Sequence, residues 1–165
     1  MTLIVPFDGS DLAEAALVRA TEFGKVFDED VMAVSVIPKD DRNYAREKGW
    51  IDGNEAFDME SIVSRLHQQV TDVCPTAGFQ YKIVDRFAPS GTIANRLRQV
   101  ARNEDASMVF IGSKNAGHLV TAVSSVGGTV AADDAYDVVI VRHRSPTKID
   151  RLKNASSQEK RKSGM

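Results

Sequence analysis

Apolar positions fall into two alternating rhythms along the chain. Residues 3–7, Leu-Ile-Val-Pro-Phe, form a short unbroken run that stops at Asp8-Gly9-Ser10, which reads as a strand and a turn. Ala13, Ala16, Leu17, Ala20, Phe23, Gly24 and Phe27 then recur every three or four residues. That spacing predicts a helix with one buried face. Ser10 is placed to cap it, and Asp11 and Glu14 suit the positive end of its dipole. A second run, residues 31–37, stops at Pro38. Residues 39–56 are polar without a clear period and read as a long loop. Met59, Ile62, Val63, Leu66, Val70 and Val73 mark a second helix, which Pro75 ends. Phe79, Tyr81 and Ile83 alternate with polar neighbours, as in an edge strand. Gly91 opens a third helix through Ile93, Leu97 and Val100. Residues 108–111 are an unbroken apolar strand ending at Gly112-Ser113. A loop, a short helix near residues 125–134 and a last strand at residues 138–141 complete the pattern.

Strand and helix therefore alternate through five strands. The first, second, fourth and fifth lack polar alternation, as strands covered on both faces do. The fold class predicted is α/β, a doubly wound and mostly parallel sheet with helices on both faces. Such sheets bind ligands beyond the carboxyl ends of their strands, where the strand order reverses. The segments to inspect are residues 6–10, 36–38, 85–87 and 112–125.

Composition narrows the class. At 165 residues the chain suits one domain with a core of its own. Residues 145–165 carry six bases against two acids, a net of +4, and almost nothing apolar beyond Leu152. They read as a flexible basic tail, leaving residues 1–144 as the domain. With 21 bases and 23 acids the whole chain has a net charge of −2, which argues against a general nucleic-acid binder. Cys74 is the single cysteine, so neither an internal disulfide nor a cysteine-cluster metal site is available. The N-terminal apolar run lacks a preceding basic region, and no stretch approaches the roughly 20 residues of a membrane span. A cytoplasmic protein with no membrane partner is expected.

At the turns singled out above, the chain resembles the universal stress protein family. Leu3-Ile4-Val5-Pro6-Phe7-Asp8-Gly9-Ser10 resembles its opening strand and turn, and Val34-Ser35-Val36-Ile37-Pro38 its second strand. Ser90-Gly91-Thr92-Ile93-Ala94 resembles the start of its third crossover helix, and Val109-Phe110-Ile111-Gly112-Ser113 its fourth strand. Ser124-Ser125-Val126, Val130 and Val138-Val139-Ile140-Val141-Arg142 resemble the closing helix and strand. The resemblance implies a five-stranded parallel sheet of order 3-2-1-4-5, with strands 1 and 4 flanking the switch point. It also implies a homodimer paired through the strand Val138-Val139-Ile140-Val141. Some members bind ATP at the switch point and others bind none.

On that resemblance the cofactor-binding positions are Pro6, Asp8, Val36, Gly112, Asn115, Ser124, Ser125 and Val126. ATP-binding members carry Gly, two residues, Gly, nine residues, Gly, then Ser or Thr, so that bare backbone and a helix start cradle the phosphates. Here Gly112 keeps the first glycine, Asn115 and Ser124 replace the other two, and the segment is one residue short if Ser125 supplies the hydroxyl. Weak or absent ATP binding is the expectation. Asp8 reads either as a ribose acceptor or as a turn residue capping backbone amides.

Other chemistry-bearing residues read as structural. Lys114 and His118 are solvated loop residues, His67 a surface or partly buried histidine, and Cys74 a small buried thiol. Arg142 and His143 follow the last strand at a dimer edge or tail junction. Trp50, in an otherwise polar loop, packs on the body or on a partner. No catalytic or metal-binding set emerges, and Gly-x-x-x-x-Gly-Lys-Ser/Thr, Gly-x-Ser-x-Gly and His-Glu-x-x-His are absent from the sequence. A non-catalytic regulatory protein is therefore expected, with a nucleotide-free dimer scaffold as the alternative. An adenine-nucleotide hydrolase would need a Ser-Gly-Gly-rich loop where Asp8-Gly9-Ser10-Asp11 stands. A phospho-receiver would need an acid and a lysine where Gly9 and Arg142 stand.

Overall fold

In the computed structural model, which describes residues 1–89, 91–112 and 135–142, the first apolar run becomes β1 (Thr2–Pro6). Its centre, Leu3, Ile4 and Val5, is wholly buried, because β1 lies in the middle of the sheet with helices on both sides. Helix α1 (Asp11–Phe27) follows. The Ser10 hydroxyl accepts the Ala13 amide at 3.2 Å, which satisfies one of the donors a helix start leaves open. The chain then enters β2 (Asp30–Lys39), a short helix α2 (Arg42–Glu47), helix α3 (Met59–Val73), β3 (Gly78–Asp85), α4 (Thr92–Asn103), β4 (Ala106–Gly112) and β5 (Asp137–Val141).

All strand pairs are parallel, in the order β3-β2-β1-β4-β5. The alternating geometry of strands divides the apolar residues between two layers. Leu3, Val5, Phe7, Ala33, Ile37 and Phe110 pack with α1 and α3 residues such as Leu17, Ile62 and Leu66. Ile4, Val34, Val36, Val109 and Ile111 pack on the opposite layer with Ala94, Leu97 and Val100 of α4. Both faces of the central strands are thus apolar, which is why their sequences show no alternation.

Two expectations are corrected. The second strand continues through Pro38 to Lys39. β1 pairs with β2 only as far as Val34, so a proline beyond it removes no ladder bond on that side. Residues 39–56 are also ordered rather than a plain loop. Six residues of helix are too short to show a period, and only Ala45 of α2 is buried. The apolar anchors of this segment come after the helix, with Trp50 5% and Ile51 4% exposed.

β3 lies at the sheet edge as its alternation suggested. Phe79 packs under α3, where the His67 ring stacks on it at 5.0 Å, while Tyr81 and Ile83 stay exposed. β5 forms the other edge. The expected helix near residues 125–134 and the basic tail lie outside the described residues.

Candidate functional site

The switch point falls between β1 and β4, where the chain leaves the centre of the sheet in opposite directions. The turn after β1 is held there from several sides. Phe7 donates its amide to the Val34 carbonyl at 2.8 Å, and the buried Ser35 hydroxyl donates to the Phe7 carbonyl at 2.6 Å. Beyond it the chain reverses at Gly9, whose φ of +80° lies in the left-handed region that side chains disfavour. The Gln69 amide of α3 donates to the Gly9 carbonyl at 2.9 Å and to the Glu14 carboxylate, tying the turn to two helices.

Asp8 is the chemical centre of this turn. Its Oδ1 accepts the Ser10 amide at 3.0 Å. Its Oδ2 pairs with Lys48 Nζ at 2.8 Å, with about a third of each side chain exposed. Its backbone carbonyl accepts Trp50 Nε1 at 2.8 Å. Burial alone pushes the Asp8 carboxyl up, but Lys48 and Ser10 outweigh it and hold the group below its ordinary value. Burial likewise pulls Lys48 down, and its bond to Asp8 more than offsets that, so the ammonium is stabilised. Both groups are charged at neutral pH.

α2 and the residues after it supply this clamp. Tyr44 meets Trp50 edge-to-face at 5.6 Å, and Lys48 Nζ lies 5.5 Å from the Tyr44 ring centre. Arg65 of α3 donates to the Trp50 carbonyl and pairs with Glu55. Trp50 therefore packs on the body of its own domain, which resolves the choice left open by its sequence context. Lys48, Gln69 and Ser35 are site residues the sequence did not single out. The one available hint was Trp50, an aromatic in polar surroundings.

The remaining candidates divide in two. Pro6 and Val36 lie on the α4 side of the sheet, Val36 buried and Pro6 half-buried beside its register partner Val34. Gly112 ends β4 against the start of α1. A methyl group there would stand 2.3 Å from the Leu12 carbonyl oxygen and 2.9 Å from the Ala13 nitrogen. Strand–helix packing therefore requires glycine at this position. Pro6 ends β1, Asp8 lies in the turn after it, Gly112 ends β4, and Val36 lies three residues before the end of β2. Asn115, Ser124, Ser125 and Val126 lie outside the described residues, as do Lys114, His118 and His143. Cys74 is buried, and its sulfur accepts the Thr21 hydroxyl at 3.0 Å.

The model of the Universal stress protein family matches residues 1–152. The chain belongs to the universal stress protein family. Its β3-β2-β1-β4-β5 order is the one the resemblance implied. Solved universal stress proteins share the fold at low identity. One in complex with cAMP gives a TM-score of 0.55 at 20% identity, covering 88% of this chain and 98% of that one. One from Archaeoglobus fulgidus DSM 4304 gives 0.57 at 17% identity, with 86% of this chain matching 44% of that longer one. One from Lactobacillus plantarum gives 0.51 at 17% identity over 86% of this chain and 97% of that one. No curated protein matches the chain. No helix among the described residues is long and apolar enough to cross a membrane.

Proposed function

We propose that this stress-response protein is a non-catalytic regulator that binds an adenine nucleotide weakly at the carboxyl ends of β1 and β4. The observation that carries the reading is Asp8. Its ionised carboxylate stands at the switch point, beside the start of α1 that Gly112 abuts. A ribose hydroxyl donates well to such an acceptor. A fold neighbour solved in complex with cAMP supports an adenine-nucleotide ligand. Triphosphate binding is expected to be the weak part, because Asn115 and Ser124 carry side chains where the family's motif has glycine. Two forfeited charge-assisted hydrogen bonds amount to roughly 3–6 kcal/mol, or two to four decades of affinity.

The same reading includes a cytoplasmic homodimer paired through the strand Val138-Val139-Ile140-Val141. β5 is an edge strand, and its Val138, Val139 and Ile140 are only half-buried. Such an edge invites pairing with a second copy. A mass near one chain in sedimentation at micromolar concentration would refute the dimer.

One observation favours the alternative of a nucleotide-free scaffold: Lys48 already occupies an oxygen of Asp8. Calorimetry of the purified chain with ATP, AMP and cAMP separates the two. Millimolar or better binding of any of them, lost in Asp8→Ala, supports the site. No heat with any of the three supports the scaffold. Conversion of ATP to AMP and pyrophosphate, or to ADP, at more than trace rates would refute the non-catalytic reading.

A further inference from the structure

We propose that the outer edge of β3 is a self-recognition surface, on which β3 of a second copy pairs antiparallel about a two-fold axis at Tyr81. This pairing is separate from the dimer read above, because β3 and β5 form opposite edges of the sheet. β3 pairs with β2 along its whole length, Gly78–Asp85, and among the described residues no strand lies beyond it. Its outward backbone groups are thus open to another strand. On the α3 face Phe79 is covered, but Tyr81 and Ile83, in the same row, stay 43% and 46% exposed. An open backbone edge beside an aromatic and an aliphatic side chain fits a strand of the same pattern. The basic residues 145–165 do not fit it, because they have almost nothing apolar beyond Leu152 and would set bases against Lys82.

Side-chain chemistry selects the register. Opposed residues of an antiparallel pair share one face, so opposing odd to even positions would lay Tyr81 and Ile83 beside Gln80 and Lys82. An axis at Lys82 would set ammonium against ammonium. An axis at Gln80 would leave Ile83 opposite Ala77, which lies outside the strand. An axis at Tyr81 overlaps residues 78–84. Phe79 then faces the second copy's Ile83, and Tyr81 faces its own counterpart. On the other face Lys82 falls opposite the second copy's Gln80. In each copy Gln80 donates to the Glu104 carboxylate at 3.3 Å. Opposed Cβ atoms lie about 4.5–5.5 Å apart, so the long lysine stem reaches that carboxylate. Lys82 is exposed and forms no ion pair among the described residues. The two-fold axis makes the Lys82–Glu104 contact twice.

The first test is disulfide trapping in the full chain. Opposed Cα atoms lie about 4.5–5.5 Å apart, so Tyr81→Cys can bridge to its counterpart. Residue 83 is offset from its counterpart by four residues, roughly 13 Å, so Ile83→Cys cannot. Under mild oxidation Tyr81→Cys should give an 81–81 bridge, identified by peptide mass mapping, at least tenfold faster than Ile83→Cys bridges. The second test is sedimentation of Lys82→Glu, Glu104→Lys and their equal mixture. Each reversal opposes like charges twice and should weaken this association roughly tenfold. The mixture should recover it, because the mixed pair again sets opposite charges together. Neither residue lies on the β5 edge, so pairing there cannot produce the recovery. Far-ultraviolet circular dichroism checks that each variant is folded. Equal bridging rates at 81 and 83, or a mixture no more associated than either variant, overturns the inference and leaves the β5 dimer reading untouched. A foreign polypeptide bridged to residue 81, with no 81–81 species, assigns the edge to another strand and overturns it as well.

Discussion

Replacing Gly112 by alanine tests whether this residue serves packing as well as any ligand. The added methyl would sit 2.3 Å from the Leu12 carbonyl oxygen and 2.4 Å from its carbon, all of it backbone. Reaching ordinary contact near 3.4 Å requires the end of β4 and the start of α1 to part by about 1 Å. Neither side yields easily. The helix start is capped by Ser10 and carries the buried Leu12 and Ala13, and Gly112 is in register with Val141 of β5. Overpacking of this kind costs about 1–3 kcal/mol, and two rigid backbones place Gly112→Ala near 3 kcal/mol. For a chain of this size that lowers Tm by roughly 6–12 °C. Gly49→Ala is the control. Its φ is +76° with no atom within 4 Å of the added methyl, so it carries only left-handed strain of about 1–2 kcal/mol. Urea unfolding followed by fluorescence of Trp50, the single tryptophan, and by circular dichroism measures both. A Gly112→Ala variant within about 0.5 kcal/mol of the parent, or less harmed than Gly49→Ala, would refute the packing argument.

Trp50→Phe removes the indole N–H from the Asp8 carbonyl, and a loss of about 1 kcal/mol is expected in urea unfolding followed by circular dichroism; no loss would show the bond to be idle. The Asp8–Lys48 pair should contribute up to about 1 kcal/mol, since both side chains are a third exposed. Asp8 is lowered, so its share is present above the unfolded carboxyl value of about 3.9 and is lost as pH falls through the folded one. Lys48 is raised, so its share is present below about 10.4 and is lost as pH rises through the folded value. The stability gap between the parent and Lys48→Met should therefore be constant near neutrality and narrow toward pH 3; a gap unchanged at pH 3 would contradict the pairing. Removing residues 145–165 should leave Tm nearly unchanged, and a drop of many degrees in a thermal scan would show that the tail packs on the domain.

Much of the fold was legible in the sequence because burial writes itself into periodicity. β1 and β4 are buried on both faces, so they appear as unbroken apolar runs. α1 and α3 bury one face, so Ala13, Leu17 and Ala20, or Ile62, Leu66 and Val70, recur at helical spacing. The place of Asp8 after the first strand and of Gly112 at the end of the fourth followed from the same reading.

The tertiary structure alone decided what surrounds Asp8. Lys48 lies 40 residues away in sequence and Gln69 is 60 residues from Gly9, and no local pattern encodes contacts between such distant segments. α2 was hidden because six residues bury only one side chain, and Pro38 misled because its tolerance depends on where β1 stops pairing. The close approach that demands glycine at Gly112 is likewise a property of two backbones meeting. Sequence periodicity reports how much of each residue is buried, whereas which distant groups share a site depends on how the layers pack.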